Sequence, residues 1–418
     1  MTTTSPTRVP ARTGSPTSFP AGTVEPDYLL TEALGTDPAS ALAGIGDEDR
    51  SYWDRARTFV QDEVLPVIDG YWERGEYPLH LLRRLGELDL LRDGVPVEGF
   101  APMSSMAAGL VNMEISRGDG SVATMIAVQG GLALRSVAEC GSPEQKERWL
   151  PAIANGAEYA AFALTEPTHG SDSVALETTA TRTDGGFLLN GEKKWIGNGS
   201  VGGVSIVWAR GDDGQVHGYL VPQGSPGYTA TRIEGKLALR AIWQAHIRLE
   251  DVFVPEGNVL PGARTFKDTA RVLLATRLGV AWSAVGHATA CYETAVQYAK
   301  QRKQFGRPLG ASQIVQERLA RMLSELATMQ LMVVQMTRLD EAGILTPEQA
   351  SLAKYTCTRT ARAIASNARD LLGGNGILLE NRVARHLADI EAIHTYEGTE
   401  TMQALIIGRG ITGTSAFA

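Results

Sequence analysis

The order of apolar and polar positions divides the chain into a helical region, a strand-rich region and a second helical region. Between about residues 47 and 155, apolar side chains recur at helical spacing, as in the run Leu81, Leu82, Leu85 and Leu88. From about 160 to 260, short alternating runs such as 204–208 and 218–221 indicate strands. Glycine-rich turn signals separate these runs, which suits a compact antiparallel barrel or sandwich.

After residue 262 the pattern is helical again. One apolar seam steps by three and four residues, which predicts a long helix that packs against partner helices. The seam consists of Leu319, Met322, Leu326, Met329, Val333 and Met336. Thr346, Pro347 and Gln349 supply an N-cap, a proline at N1 and a glutamine at N3, so another helix begins there. The glycine-rich segment 373–376 is expected to end that helix in a flexible loop.

The three regions predict an α+β fold with several domains. Residues 1–45 are expected to form a disordered or extended tail, 46–158 an N-terminal helical domain, 159–265 a middle β domain, and 266–418 a C-terminal helical bundle domain. A chain of 418 residues is long enough for each of these domains to bury its own core.

Charge and composition narrow the function classes. The formal net charge of −8 argues against nonspecific binding to nucleic acid or to an anionic membrane. No run approaches the roughly 20 apolar residues of a membrane helix, and residues 1–27 lack the apolar core of a secretory signal. Cys140, Cys291 and Cys357 are widely spaced without a C-x-x-C pair, so we expect buried thiols in a reducing compartment. A cytoplasmic location is therefore expected.

Residues 197–202 formally match the G-x-G-x-x-G dinucleotide-binding pattern. That motif requires a strand before it and a helix after it, so that the pyrophosphate meets a helix N-terminus. Here an alternating apolar run follows, and we reject the match. The seven histidines are scattered without metal-ligand spacing, so no metal is expected.

Four motifs carry more information together than any of them does alone. The first is FALTEPTHGSD at 162–172, followed by NGEKKWI at 190–196. The second is RKQFGRPL at 302–309, with Gln313 just after it. The third is LGGNG at 372–376, and the fourth is YEGT at 396–399.

In order and separation these motifs resemble those of the acyl-CoA dehydrogenase family, from about residue 50 to the C-terminus. Within the family the chain is most similar to glutaryl-CoA dehydrogenases and to the related short-chain acyl-CoA oxidases of plants. The resemblance implies a helical domain, a β barrel and a four-helix bundle. It also implies an FAD-dependent dehydrogenation of an acyl-CoA substrate, a homotetramer, and an electron-transfer flavoprotein as the electron acceptor.

The resemblance assigns the catalytic base to Glu397. Spacing alone leaves Glu391 and Glu400 equally available, and an exposed carboxylate in a turn is the plainer interpretation. In the resembling family, the glutamate of the Tyr-Glu-Gly-Thr turn removes the proton from Cα while a hydride passes from Cβ to flavin N5, which gives the trans-2-enoyl-CoA. Burial beside the ligand is expected to raise the pKa of this carboxyl towards neutrality, as a working base requires.

The same resemblance implies a set of residues that contact FAD. Thr165 suits hydrogen bonding along the flavin edge, and Trp195 suits stacking on the flat ring. Arg302 and Phe305, with Gln313 nearby, would reach the FAD of a neighbouring subunit. The whole set is Phe162, Leu164, Thr165, Gly170, Ser171, Trp195, Ile196, Gly197, Arg302, Phe305, Gln313, Asp370, Leu371, Leu372, Gly373, Gly374, Thr399, Glu400 and Thr401.

A second set is implied to contact the substrate, namely Ala123, Thr124, Ser171, Arg277, Tyr396 and Gly398. Ala123 stands where glutaryl-CoA dehydrogenases place an arginine that pairs with the distal carboxylate of the substrate, and Ser116 stands where they have a glutamate. A buried carboxylate without a counter-ion is costly. We therefore expect a neutral short or branched acyl chain.

The identity of the acceptor depends on Gly197. Many family members carry a threonine at this position, whose hydroxyl meets flavin N5, and glycine cannot make that bond. The plant oxidases also have glycine here, so the chain could instead be an acyl-CoA oxidase that uses O2. Three further functions stay open: a glutaryl-CoA dehydrogenase, a dehydrogenase of carrier-protein-bound acyl groups, and a flavin-less binding or scaffold protein that kept the fold.

Overall fold

The computed structural model describes residues 36–416 of the chain. Its N-terminal region is helical, and two π-helical segments interrupt the α-helices. The elements are α1 Asp47–Phe59, the π-helical segment Val60–Val64, α2 Ile68–Arg74, α3 Leu79–Glu87, α4 Ser105–Gly118, α5 Gly120–Ile126, the π-helical segment Ala127–Leu134, α6 Arg135–Cys140 and α7 Pro143–Ala154.

The predicted tail lies outside the described residues as far as residue 35. Residues 36–45 form turns that pack on the C-terminal helices. The Asp37 carboxylate accepts hydrogen bonds from the backbone of Ala41 at 2.8 Å and of Leu42 at 3.0 Å. Leu42 is buried in the same apolar cluster as the C-terminal helices.

The middle region is a curled seven-stranded sheet. Its strands are β1 Ala160–Ala163, β2 Thr179–Thr183, β3 Gly186–Gly197, β4 Val204–Gly211, β5 Val216–Pro222, β6 Tyr228–Arg232 and β7 Gln244–Pro255. The order is β1-β4-β2-β3-β7-β6, and β5 pairs with β4. β1 and β2 run parallel to β4, so the expectation of a wholly antiparallel sheet is wrong. A long irregular segment rather than a tight turn joins β1 to β2, so both strands lie along one edge of β4 in the same direction.

The rejection of the G-x-G-x-x-G match is confirmed. β3 ends at Gly197 and β4 begins at Val204, so the glycines form a turn between two strands with no helix to follow.

The C-terminal region is a helical bundle with a small hairpin. Its elements are α8 Phe266–Gln301, β8 Lys303–Gln304, β9 Arg307–Pro308, α9 Gln313–Glu341, α10 Pro347–Leu371, α11 Val383–Thr395 and α12 Glu400–Thr412. The apolar seam of α9 is confirmed, because its members are buried or partly buried in the bundle core. The predicted start of α10 is confirmed by a capping box between Thr346 and Gln349. The segment after α10 is a 3-10 helix, Gly373–Ile377, rather than a flexible loop.

Buried ion pairs fix α11 against both other regions. Arg385 donates to Asp69 and to Asp119, each at 2.6 Å. Asp389 accepts from the Leu239 backbone at 2.6 Å and from Trp72 at 3.1 Å. Burial and the neighbouring Asp119 raise the pKa of Asp389 to about 7. This network sets the position of the helix whose C-terminal end leads directly to Glu397.

Two expectations about the core can be compared with the described residues. The three cysteines are buried and unpaired, which confirms the prediction of buried thiols. The helical stretch Gly120–Cys140 has the length and apolar character of a membrane span, but 78% of its most apolar window is buried inside the protein. That burial is typical of a core helix.

Candidate active site

A pocket opens where α4, α5, α8 and the end of α11 meet. Its empty volume, including the mouth, is about 360 Å³. The apolar part of its wall is formed by Ala123, Ala127, Leu132, Val280 and Tyr396, with Gly279 between them. The polar part is formed by Asp93, Asn112, Thr276, Ser283 and Glu397. The wall combines apolar side chains with a few polar groups, as the walls of small-molecule sites typically do.

Glu397 lines this pocket with its backbone in an unusual conformation. It has a φ of +53°, and Gly398 after it has a φ of +83°. A non-glycine residue in the left-handed region is strained, and such strain persists where the surroundings hold it, often at functional sites. Here Gln403 donates to the carbonyls of Glu397 at 3.0 Å and Gly398 at 3.1 Å. The turn therefore presents the Glu397 carboxylate to the pocket in a fixed orientation.

The electrostatics around Glu397 suit a general base. Burial raises the pKa of its carboxyl, while the Thr276 hydrogen bond and the charges of Lys354 and Arg277 partly offset that rise. The Thr276 hydroxyl donates to Glu397 Oε2 at 2.9 Å. A carboxyl whose pKa is raised, but which a cation still helps to ionise, can accept a proton near neutral pH.

Lys354 on α10 stabilises the same turn through hydrogen bonds to its backbone. Its ammonium group donates to the carbonyl oxygens of Tyr396 and Gly398, on either side of Glu397. Burial lowers the pKa of Lys354 to about 7, although the nearby Glu397 favours its charged form. Lys354 thus acts on Glu397 both through the backbone and through its charge.

The structure brings together part of the predicted substrate set. Ala123 and Tyr396 line the pocket beside Glu397, and Gly398 completes the same turn. The Thr124 hydroxyl donates to the Gly120 carbonyl of its own helix at 2.8 Å and also forms a hydrogen bond with the Tyr396 side chain. Ala123 is 4% exposed, so the position predicted to lack an arginine is a buried part of the pocket wall.

The two remaining substrate predictions lie apart from the pocket wall. Arg277 donates to the Ser351 hydroxyl at 3.3 Å, and its positive charge acts to lower the pKa of the Glu397 carboxyl. Ser171 is exposed on the loop after β1. Their roles toward an acyl-CoA stay predictions.

A buried ion pair supports the loop that carries the first group of FAD predictions. Lys193 donates to the Leu164 carbonyl at 3.0 Å and to Glu166 at 2.8 Å. Burial lowers the pKa of Lys193 to about 8, with Glu166 opposing that shift. Burial acts to raise the pKa of Glu166, but Lys193 and backbone N–H donors outweigh it and lower that pKa overall. Phe162 and Leu164 are buried, and the Thr165 carbonyl accepts from Lys194 at 2.8 Å.

Trp195, Ile196 and Gly197 lie at the end of β3. The strand register shifts between Lys193 and Ile196, and Trp195 has a φ of +67°. This bulge leaves the Trp195 side chain 55% exposed, while Ile196 is buried. An exposed indole on a strand end is available for stacking on a flat ligand, as predicted for the flavin.

Gly197 brings this strand end directly against the pocket helices. A Cβ built on Gly197 would lie 2.7 Å from Cγ2 of Val128, and the preceding residue, Ala127, lines the pocket. By contrast, a Cβ on Gly170, Gly373 or Gly374 would meet nothing within 4 Å. Open glycine backbone and an exposed indole fit a bulky planar cofactor, so these residues could hold FAD.

Replacing Gly197 with threonine tests whether Val128 occupies the space of the missing side chain. Valine is stiff at χ1, so the overlap cannot be relieved by a simple rotation. We expect Gly197→Thr to lower the free energy of unfolding by about 1–3 kcal/mol, as is usual for overpacking, and to weaken FAD retention. The double variant Gly197→Thr/Val128→Ala should recover most of the loss in chemical denaturation. A single variant as stable as the parent would contradict this packing.

The other FAD predictions lie on separate elements of the C-terminal region. Arg302, Phe305 and Gln313 are exposed around the β8–β9 hairpin, where Phe305 has a φ of +52°. Of the residues at the end of α10, Leu371 and Leu372 are buried, whereas Asp370 accepts from Arg318 at 2.6 Å.

Residues around the start of α12 complete this second group. Thr399 is the N-cap of α12, and its hydroxyl accepts from Met402 at 3.3 Å. Glu400 pairs with His394 at 2.8 Å, and Thr401 is exposed. The contacts of all these residues with FAD stay predictions.

Sequence reasoning missed several residues that form the site. Lys354 stands on the apolar face of α10, between Ala353 and Cys357, and an isolated lysine in that register was a signal of a buried partner. Gln403 and Thr276 gave no comparable signal, because both contacts depend on the path of the chain after α11. Asp93 likewise comes from the irregular segment between α3 and α4, which no periodicity describes.

Comparisons with known proteins agree with the geometry. Family models described as the N-terminal, middle and C-terminal domains of acyl-CoA dehydrogenase match residues 46–157, 161–252 and 266–412. The chain is 33% identical to the mitochondrial short-chain specific acyl-CoA dehydrogenase of Rattus norvegicus, over 84% of this chain and 87% of the relative.

Two solved structures are similar over almost their whole length. A glutaryl-CoA dehydrogenase from Mycobacterium smegmatis has a TM-score of 0.90 and 41% identity, covering 92% of this chain and 100% of the other. A glutaryl-CoA dehydrogenase from the same organism, in complex with FADH2, has a TM-score of 0.88 and 37% identity, covering 90% and 97%.

Proposed function

Because the chain belongs to the acyl-CoA dehydrogenase family of FAD-dependent oxidoreductases that act on CH–CH groups, we propose that it oxidises a neutral short or branched acyl-CoA with Glu397 as the base. The observation that carries this proposal is the Glu397 carboxylate, which lines the pocket with a raised pKa and a backbone held by Lys354 and Gln403.

Each residue of the site has a definite part in the proposed reaction. Glu397 takes the proton from Cα of the thioester, and Thr276 orients the Oε2 atom through its hydrogen bond. Lys354 and Gln403 hold the turn so that the carboxylate needs no reorganisation. Bound FAD supplies the acceptor for the hydrogen and electron pair that leave Cβ. The product is the trans-2-enoyl-CoA.

The pocket wall supports a neutral acyl chain. Among the described residues that line it there is no lysine, arginine or histidine to pair with a distal carboxylate. Asp93 instead adds a second acidic side chain beside Glu397. A glutaryl chain would bring a third carboxyl into this confined space, which costs free energy unless a cation compensates it.

Introducing the missing arginine tests this substrate preference. We expect Ala123→Arg to raise the ratio of glutaryl-CoA to butyryl-CoA turnover by about ten-fold, because the guanidinium can pair with the distal carboxylate. Asp93 lines the same pocket and competes for that guanidinium, so Ala123→Arg/Asp93→Asn should raise the ratio further. Steady-state kinetics with both thioesters measures it. No rise in either variant, with FAD content intact, would contradict the assigned pocket.

Product analysis tests the reaction itself. The purified enzyme with an artificial electron acceptor should convert butyryl-CoA to crotonyl-CoA, detected by mass spectrometry, and leave glutaryl-CoA unchanged. Conversion of glutaryl-CoA with release of CO2 would favour a glutaryl-CoA dehydrogenase instead. Oxidation of a carrier-protein thioester but not of the free CoA thioester would favour a carrier-dependent dehydrogenase.

The acceptor and the assembly form the finer part of the proposal. An electron-transfer flavoprotein is the proposed acceptor, and hydrogen peroxide formed in step with substrate in air would favour an oxidase. A homotetramer is the proposed assembly, and the fully exposed Phe305 on the β8–β9 hairpin is the side chain proposed to reach the FAD of a neighbouring subunit.

A further inference from the structure

One wall of the pocket beside Glu397 carries polar side chains, and an alkyl chain cannot form hydrogen bonds with them. This acceptor wall consists of Asp93, from the segment after α3, Asn112 on α4, and Ser283 on α8. Asn112 and Ser283 are each 5% exposed, so their polar atoms are shielded from bulk water. Three different elements thus place polar side chains on one side of the site.

Two oxygen atoms of the acceptor wall take no part in the hydrogen bonds within it. Asn112 Nδ2 donates to Asp93 Oδ1 at 2.6 Å, and the Ser116 hydroxyl donates to the Ser283 hydroxyl at 2.7 Å. Within residues 36–416, Asp93 Oδ2 and Asn112 Oδ1 have no hydrogen-bond partner. An acyl chain that displaces solvent from these two oxygens leaves them without a partner unless it carries a donor, so this wall favours a ligand with a hydroxyl or N–H group.

The acceptor wall stands close to the reacting carbons. A Cβ built on Gly131 would lie 2.7 Å from Asp93 Oδ2 and 3.3 Å from the Thr276 methyl, and Thr276 itself holds Glu397. A Cβ on Gly279 would lie 3.4 Å from Asn112 Nδ2. Because Gly131 and Gly279 lack side chains, Asp93 and Asn112 can occupy the space beside them. An acyl chain with its Cα at Glu397 therefore passes the acceptor wall within a few carbons.

The backbone of Asp93 is held in place by a hydrogen bond from Arg135. Arg135 donates to the Asp93 backbone carbonyl at 2.8 Å, which anchors the segment without binding the carboxylate oxygens. Burial raises the pKa of Asp93, and the Arg135 charge and the Asn112 hydrogen bond oppose that rise. With Arg135 already compensating the charge, a neutral donor matches this wall better than a second cation.

We propose that the natural acyl chain carries a hydroxyl group a few carbons from the thioester, which donates to Asp93 and is held beside Asn112 and Ser283. This inference rests on the proposed acyl-CoA dehydrogenation and narrows its substrate class to hydroxyacyl-CoA. The hydroxyl takes no part in the reaction. It binds the wall while Glu397 acts at Cα.

Isosteric thioesters test the proposal. 4-Hydroxybutyryl-CoA and pentanoyl-CoA differ in a hydroxyl or a methyl at the same place, and 5-hydroxypentanoyl-CoA and hexanoyl-CoA repeat the comparison one carbon farther. Each is mixed anaerobically with the FAD-loaded enzyme, and the rate of flavin reduction is followed. In at least one pair the hydroxyl compound should be faster by about ten-fold at low concentration, because it alone replaces the hydrogen bonds that these oxygens lose when solvent leaves the pocket.

Matched variants locate the effect. Asp93→Leu, which keeps the shape of the side chain but has no hydrogen-bonding atom, should bring the hydroxyl-to-methyl ratio of that pair close to one, whatever its absolute rates. Glu98→Gln, which changes an exposed carboxylate on the same segment, should keep the ratio of the parent.

The outcomes separate the two proposals. If the methyl compounds react as fast as the hydroxyl compounds or faster, the hydroxyacyl assignment is overturned while the dehydrogenase assignment stands. A hydroxyl preference that survives Asp93→Leu would also overturn the role of the acceptor wall. If none of the four thioesters reduces the flavin but isovaleryl-CoA does, only the hydroxyacyl assignment is overturned. If isovaleryl-CoA and butyryl-CoA fail as well, the proposed function itself fails.

Discussion

Replacing Glu397 with glutamine should reduce the rate of flavin reduction by an acyl-CoA by about three to four orders of magnitude. The amide has nearly the shape of the carboxyl group but cannot take a proton from Cα. Its nitrogen would also face the Thr276 hydroxyl, which can turn to accept the hydrogen bond. FAD content and the affinity for acyl-CoA should therefore stay close to those of the parent.

The matched control for this variant is Glu391→Gln. Glu391 lies on the same helix end, but it pairs with Arg362 at 2.8 Å and does not line the pocket. Stopped-flow absorbance of the flavin compares the two variants under identical conditions. A Glu397→Gln enzyme within ten-fold of the parent, or a loss of similar size in Glu391→Gln, would remove Glu397 from its role as the base.

Replacing Lys354 with methionine should lower turnover by about ten- to a hundred-fold near neutral pH. Methionine keeps most of the apolar stem, but the carbonyls of Tyr396 and Gly398 lose their buried donor. The turn that carries Glu397 then loses one of its two supports, and the carboxylate loses its nearby positive charge. Lys354 is a positioning residue, because it acts through Glu397.

The pH profile distinguishes this role from a general loss of structure. Glu397 must be ionised to act, so the rate rises with pH through the pKa of its carboxyl group. The Lys354 charge lowers that pKa, so in Lys354→Met the pKa is higher and the acid limb of the rate profile moves to higher pH. Lys267→Met, at an exposed lysine on α8, should leave the limb in place. An unshifted limb in Lys354→Met would contradict the electrostatic part of the role.

The periodic features of the fold were predictable because they follow from local spacing. The seam from Leu319 to Met336 and the capping box at Thr346 depend on residues three and four positions apart, and the structure confirms both. The family followed from short motifs. Ala123 lies in the pocket wall, and its role toward the substrate stays a prediction.

The features that complete the site depend on contacts between distant parts of the chain. The left-handed backbone of Glu397 is stabilised by Lys354 and Gln403. The register of Lys354 signals a buried partner, but neither residue's spacing identifies the Glu397 turn as that partner. Asp93 reaches the pocket because Arg135, which comes from a later helix, anchors its carbonyl. Such contacts are decided by how helices and irregular segments pack, which a one-dimensional pattern does not contain.

Anaerobic reduction of the bound flavin tests the central claim most directly. The FAD-loaded protein is mixed without oxygen with neutral acyl-CoA thioesters, namely butyryl-, isobutyryl-, isovaleryl- and 4-hydroxybutyryl-CoA, and separately with glutaryl-CoA, while the visible flavin absorbance is recorded. Rapid bleaching by at least one neutral thioester, slow or no bleaching by glutaryl-CoA, and loss of bleaching in Glu397→Gln are the predicted results. Bleaching by glutaryl-CoA alone, or by a neutral thioester in Glu397→Gln at the parent rate, would contradict the assignment of Glu397 and of the neutral acyl chain.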